Sequence, residues 1–417
     1  MNLSFFIASR LGGKESSKGK PSRLSNKIAA VSVAVSIAVM IISIAVLGGF
    51  SKEIREKAGG FSGDMTLSAP GVDIINWQYP VNGDLSFTGK IDSLDFVRQV
   101  QKVSYRSGLL KTPEQIQGVI FKGVDSAYNM DFFQKYLYAG EAPRYGDTLS
   151  DAIMISKRLA DLLGYALGDP VLAYFIDEDV KVRKFKIAGI FDAQLEEIDK
   201  VLVIADIRHI SRLNGWRKGE VSGFEILLTG DTDKTGTLEK EEEKISDIIF
   251  ASSADEDASV VLTLVKDKYY VLFDWLHLLD INVLIILVLM VAVAGVNMVS
   301  GILILLFENI SKIGLLKALG MRNSQISKIF LLQASSIVGK GLLWGNLFAA
   351  LLCYLEWKYK MIPLDPANYF VKYVPVDISI GTVLLINLLA FAVIMAILLI
   401  PCHFIAKVSP ARTLMVK

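Results

Sequence analysis

From Ile281 to Phe307 the chain runs 27 residues without a charged side chain, and this constrains its fold more than any other feature. A helix of that length exceeds the roughly 30 Å of a bilayer's hydrocarbon core, where backbone polar groups must be satisfied within the segment. Three other stretches match it: Ile28–Leu47, charge-free over 20 residues; Ile329–Leu355, interrupted only by Lys340; and Ile378–Ile400, closed by Pro401. With 52% apolar residues and a mean hydropathy of +0.45, the chain reads as a membrane protein. A net charge of +1 lacks the basic excess of a nucleic-acid binder, so no nucleic-acid partner is expected. Two Cys and three His leave no disulfide scaffold and no zinc cluster.

The first stretch reads as a retained anchor rather than a signal peptide, because it is long for a signal and a polar stretch precedes it. Residues 1–27 hold six Lys/Arg against Glu15, and the 308–328 loop holds Lys312, Lys317, Arg322 and Lys328 against Glu308. The tail after Pro401 holds Lys407, Arg412 and Lys417 and no acid. This bias places both termini and the middle loop in the cytoplasm. The expected organisation is a cytoplasmic N-terminal elbow (1–27), spans at 28–50, 281–307, 329–355 and 378–400, an external domain with stalks (51–280), the 308–328 loop, a short external loop (356–377) and a cytoplasmic tail (401–417).

The external segment carries 38 acidic and 27 basic residues and no Cys. Acidity says little about topology in a domain that long, but it disfavours attraction to an anionic lipid surface. Cys353 and Cys402 lie near opposite ends of their spans, too far apart to bridge. Ser51–Lys57 continues the first helix until Gly59-Gly60 breaks it. Strands are predicted at Asp64–Leu67, Val103–Leu110, Gln117–Val124, Lys200–Ala205, Phe224–Leu228 and Val260–Leu264, and helices at Leu94–Val100, Ile153–Leu163, Ile207–Leu213 and Leu238–Phe250. Val171–Phe175 and Val180–Ile190, joined by Ile176–Asp179, form a hairpin. Lys266–Asp280 extends the second membrane helix as a stalk. The fold class is a four-helix membrane protein with a large α+β domain between its first and second helices.

No G-x-x-x-x-G-K-[ST] loop is present, so the chain cannot cradle ATP phosphates in that way. His209, His277 and His403 are too scattered for a ligand set or a triad and read as surface or interfacial residues. An enzyme acting alone is not expected. Lys340 in mid-span reads either as a polar lining of the bundle interior or as buried or snorkelling at a helix interface. Gly341 and Gly345 make a GxxxG pattern for close helix approach, and Asn297 wants a partner across a helix interface. In the 308–328 loop, Ile313, Leu316, Ala318 and Leu319 have helical spacing between Lys312 and Lys317. Gly320 ends that helix, and Asn323 or Ser324 caps the next. Such a helix suits lipid contact or docking into a partner's groove.

The segment Phe307-Glu308-Asn309-Ile310-Ser311-Lys312-Ile313-Gly314-Leu315-Leu316-Lys317-Ala318-Leu319-Gly320-Met321-Arg322 resembles the coupling segment of MacB/FtsX-type ABC transporter permeases. Val293 to Met298, Phe5 to Arg10 and Pro401 to Ala411 are similar to motifs of the lipoprotein-releasing (LolC/LolE) branch. Ile155 to Gly164, Gly168-Asp169 and Val182 to Phe191 resemble that family's periplasmic signatures. The resemblance implies a non-catalytic permease subunit in a bacterial inner membrane, with its large domain periplasmic. A separate cytoplasmic ABC ATPase would use the ATP and Mg, this chain binding no cofactor, and Lys312 to Gly320 would seat in it. A second permease chain, membrane lipid, lipoprotein cargo and a periplasmic carrier are the other implied partners. The short 176–179 connection departs from the long carrier-gripping hairpin of LolC, which puts carrier docking in doubt. Alternatives left open are a mechanotransmission adaptor for a cell-wall hydrolase or sensor kinase, and an efflux permease for peptides or drugs.

Overall fold

The computed structural model describes residues 21–71, 79–177, 179–229, 237–253 and 260–406. The N-terminal elbow motif, Glu178 and the last part of the C-terminal motif (407–411) lie outside the described residues. The chain divides into two compact units, one of membrane-length helices and one inserted α+β domain.

Helix α1 (Pro21–Ser62) is a single helix of 42 residues. It carries on through Gly59-Gly60, where the sequence reading ended it. The cost of two helical glycines is offset by packing, as Phe61 meets the rings of Phe132 and Phe133 at 4.9 and 6.1 Å.

The inserted domain then follows in the order β1 (Met65–Ser68), β2 (Val81–Asn82), α2 (Ser86–Asp92), β3 (Val97–Lys111), β4 (Ile116–Val124), α3 (Asp131–Lys135) and β5 (Leu137–Gly140). Next come β6 (Ala152–Ser156), α4 (Lys157–Leu163), β7 (Pro170–Ile176), β8 (Val180–Phe191), α5 (Glu196–Asp199), β9 (Leu202–Asp206) and α6 (Ile207–Leu213). It closes with β10 (Glu220–Val221), β11 (Gly223–Leu228), α7 (Thr237–Ser253), β12 (Val261–Leu264) and the single turn α8 (Val265–Lys268).

The long strand β3 serves two sub-structures. Its first half pairs with β11, extending a sheet of order β12-β1-β11-β3. Met65, Leu67, Phe224, Ile226 and Leu264 of that sheet bury against Phe87 and Ile91 of α2 and Ile245 and Ile249 of α7. Its second half pairs with β4 and β7. There β3, β4, β9, β6, β8 and β7 pair in sequence and β7 returns to β3, so six strands close into a barrel. The barrel core holds Phe121 with the rings of Phe175 and Phe185 at 5.0 and 5.5 Å, alongside Ile155, Val203 and Ile187. Closure leaves no exposed edge on those strands.

Two predicted helices are corrected here. Leu94–Val100 is a turn followed by the start of β3, because Val97 and Val100 pair with Leu228 and Ile226 of β11. Ile153–Leu163 splits into β6 and α4 at Ser156, whose hydroxyl accepts the Leu159 amide as an N-cap. The β-branched Ile153 and Ile155 sit fully buried in the sheet. The 176–179 connection is short as expected, and Asp177 in it is 3.2 Å from the buried Arg106 of β3.

The helical unit comprises α1 up to Phe50, α9 (Tyr270–Glu308) from Leu276, α10 (Ile310–Ala318), α11 (Asn323–Tyr359) and α13 (Ile380–Ala406). Four of these helices are long and apolar enough to cross a membrane. The stalk expected from Lys266 is broken at Tyr269, between α8 and α9. The loop Pro363–Tyr373, containing the one-turn α12 (Pro366–Tyr369), belongs to the inserted domain's compact unit.

Candidate coupling sites

Helix α10 lies between the second and third membrane helices in sequence. Gly320 follows it in the left-handed region (φ +88°), a conformation that costs glycine least, and the chain turns there into α11. The N-cap of α11 is Arg322, not Asn323 or Ser324; Gln325 Oε1 accepts the Arg322 amide at 3.0 Å. Ile313 and Gly314 are buried in the helical unit's own core. Lys312, Leu315, Ala318 and Leu319 are exposed, with Leu319 76% accessible, while Leu316 and Lys317 are half-buried. The helix thus has one face anchored and the opposite one, Leu315 with Leu319 flanked by Lys312, left for something else. Leu316, three residues on from the buried Ile313, is thus less open than Leu315 and Leu319.

Gly341 and Gly345 lie against α1. A Cβ at Gly341 would stand 2.6 Å from a Val33 methyl carbon, and one at Gly345 the same distance from the Ala34 carbonyl oxygen. The GxxxG pattern is therefore taken up within the chain. Asn297 Nδ2 donates to Ser32 Oγ of α1, although the Asn297 side chain is otherwise exposed. Lys340 is not in the bundle interior: its side chain is exposed on this chain. At about 100° per residue it falls off the stripe formed by Val338, Gly341 and Gly345, which are buried. A second polar contact between helices, one the sequence analysis did not single out, is the reciprocal amide pair Asn346–Asn387 between α11 and α13 at 2.7 and 2.9 Å. Like Asn297, each is a lone amide in an apolar run, the signal by which both could be found.

The inserted domain holds two charged joints that the sequence did not reveal. At the end of α1, the fully buried Lys122 of β4 donates to the Phe61 carbonyl at 2.7 Å and to Tyr128 Oη at 2.7 Å. It is 2.7 Å from Oε1 of Glu225, which is also fully buried. Tyr105 Oη, Tyr128 Oη and Gln101 Nε2 also donate to that carboxylate, at 2.8, 3.2 and 3.2 Å. Burial pushes the Lys122 ammonium down and Glu225 opposes it; burial and the same carboxylate push Tyr105 and Tyr128 well up. The last turn of α1, where carbonyls lack helical partners, is thus tied to the sheet by a cation.

The second joint is built on Lys57. Its buried ammonium donates to the Phe370 carbonyl at 2.8 Å and lies 3.4 Å from both Gln194 Oε1 and Glu53 Oε1. Lys372 pairs with Asp192 at 2.7 Å and Phe370 packs edge-on against Trp275, so the Pro363–Tyr373 loop is held on the domain. His209 is buried rather than superficial, its Nε2 3.0 Å from Asp151 Oδ1, and burial holds its pKa down. His277 is exposed, and the side chain of His403 lies outside the described residues. No group of three or more His, Cys, Asp or Glu able to hold a metal ion occurs among the described residues.

Residues 284–410, which contain most of α9 and all of α10, α11 and α13, match the FtsX-like permease C-terminal family. That segment is an FtsX-like permease domain. The chain is 23% identical over 413 residues to the lipoprotein-releasing system transmembrane protein LolC of Xylella fastidiosa, covering 92% of this chain and 91% of the relative. The similarity to the corresponding LolE of Haemophilus influenzae is 23% over 435 residues, 99% of each chain. Among solved structures, the periplasmic region of MacB from Actinobacillus actinomycetemcomitans covers 48% of this chain and 88% of its own, with 12% identity and a TM-score of 0.35. The chain therefore resembles LolC and LolE along nearly its whole length.

Proposed function

We propose that this permease is the membrane subunit of an ABC complex that releases lipoproteins from the bacterial inner membrane. A separate cytoplasmic ATPase binds ATP and Mg, seats α10 in a groove, and drives motion that the permease carries to its inserted domain in the periplasm. Both termini face the cytoplasm, in keeping with the Lys/Arg bias of the N-terminal segment, the 308–328 loop and the tail. A second permease chain completes the assembly.

The observation that carries this reading is the exposed apolar face of α10. Leu315 and Leu319 stand one turn apart on a helix whose other face is pinned by Ile313. A short helix presenting leucines at that spacing is the form in which helices dock into hydrophobic grooves. The name-level similarity to LolC and LolE supports lipoprotein as the cargo. The test is the double variant Leu315→Asp/Leu319→Asp, purified from native membranes in mild detergent. The expected result is loss of the co-purifying ATPase while the four helices stay inserted. An ATPase retained at wild-type stoichiometry and stimulation would overturn the proposal, and an ATPase recovered with no lipoprotein would overturn the cargo.

A further inference from the structure

The joint at Lys57 contains an imbalance. The Lys57 ammonium is completely buried, and its closest acceptor is a neutral carbonyl, that of Phe370, at 2.8 Å. The carboxylate of Asp199 is near enough to act on it electrostatically, and both groups touch Gln194: Lys57 Nζ is 3.4 Å from its Oε1, while the Gln194 amide donates to Asp199. Asp199 is 3% exposed, and its Oδ1 has no hydrogen-bond partner among the described residues. A buried carboxylate oxygen without a partner is costly. Two non-glycine residues beside the joint, Gln194 (φ +66°) and Phe370 (φ +61°), are held in the left-handed region, which a native contact must sustain.

We propose that Lys57 is a two-position latch, holding the Pro363–Tyr373 loop through the Phe370 carbonyl in one state and releasing it by turning to the Asp199 carboxylate in the other. Each position satisfies what the other leaves open. On Phe370, the loop is fastened and Asp199 Oδ1 is orphaned. On Asp199, the ion pair closes, the Phe370 carbonyl is freed, and its left-handed backbone can relax. The loop is the only chain connection between α11 and α13, so the latch sets how that connection is tethered to the domain.

The surrounding charges set the balance. Glu53, bonded to Tyr136 Oη at 3.1 Å, favours the cation in either position. Asp192, which disfavours ionisation of Asp199, is itself engaged by Lys372 of the loop. Burial raises the Asp199 carboxyl to about 7, with Asp192 adding to the rise and Lys57 opposing it. Below that value Asp199 is neutral and Lys57 stays on Phe370; above it the carboxylate competes for the ammonium.

Val371 reports the loop, being 3% exposed when the loop is seated. In the 417-residue chain in detergent, the labelling rate of Val371→Cys by a membrane-impermeant maleimide is divided by that of the exposed Glu114→Cys, which cancels the pH dependence of the thiol. The unsubstituted chain measures any background from the buried Cys353 and Cys402. Between about pH 6 and about pH 8, on either side of the Asp199 value, the ratio should rise several-fold. Added Asp199→Asn should hold the ratio low at both pH values. Lys57→Met should raise it at both. A ratio that does not change with pH in the parent, or one that still rises in Asp199→Asn, would overturn the latch. The near-isosteric Asp199→Asn carries the decision if Lys57→Met fails to fold, and the measurement needs neither ATPase nor cargo.

Discussion

The two units of this protein pair their polar groups in opposite ways. The inserted domain encloses a complete ion pair, Lys122 with Glu225, inside a network of tyrosines and a helix-end carbonyl. Between the long helices of the helical unit, the side-chain pairs Asn346–Asn387 and Asn297–Ser32 join neutral groups, and glycines let α11 approach α1 closely. The difference follows from the solvent each unit faces. In water, apolar burial supplies a drive large enough to enclose a fully bonded charge pair. In a bilayer, lipid tails are as apolar as leucine, so helices associate through close packing and hydrogen bonds, and small residues decide where they meet.

The largest effect should come from breaking the ion pair. Glu225→Ala leaves the Lys122 cation buried with only neutral partners, at a cost of roughly 3–5 kcal/mol. Pulse proteolysis of the full chain in increasing urea should show the inserted domain cleaved at much lower denaturant. Wild-type resistance would mean that the joint contributes nothing to holding the end of α1. Next in size is Gly345→Leu, which forces side-chain atoms into the space 2.6 Å from the Ala34 carbonyl. Overpacking of this kind costs about 1–3 kcal/mol, and it should loosen α11 from α1, read as faster labelling of a cysteine placed at Ile37. Gly339→Ala, at a position with open space, is the matching control and should change nothing.

How far these features could be read in advance depended on the range of the interaction. The existence of four membrane-length helices was legible because charge-free length is a local property, although α1 runs on to Ser62 and α9 begins at Tyr270. So were the β7–β8 hairpin, whose turn residues lie between two apolar runs, and α6, which the structure places at the predicted Ile207–Leu213. Leu94–Val100 failed because its apolar spacing fits helix and strand alike, and pairing with β11, more than a hundred residues away in sequence, decided it. Lys122 and Glu225 are separated by 103 positions and look, one at a time, like ordinary strand charges. At α10 the helix and its end at Gly320 were legible, but which leucine faces outward was not. That depended on Ile313 and Gly314 finding the core, a rotation that spacing alone leaves free.

The smallest predicted effect is also the sharpest test of the contrast. Asn346 and Asn387 each donate to and accept from the other, so either single change to Leu removes two hydrogen bonds and leaves one amide facing an apolar neighbour. Each amide also donates to the carbonyl one turn back in its own helix, at 2.6 and 2.7 Å, so neither is stranded outright. Side-chain hydrogen bonds between membrane helices average about 0.6 kcal/mol and reach about 1.7, and the coupling energy from the four-variant cycle should fall in that range. The same cycle at Lys122→Met and Glu225→Leu should give several times more, because there each single change strands a charge. Unfolding each set from its native environment, bicelles for the asparagines and urea proteolysis for the ion pair, measures both. Equal couplings would mean that the solvent around each unit does not set the worth of its polar contacts, and the distinction between the two units would fall with it.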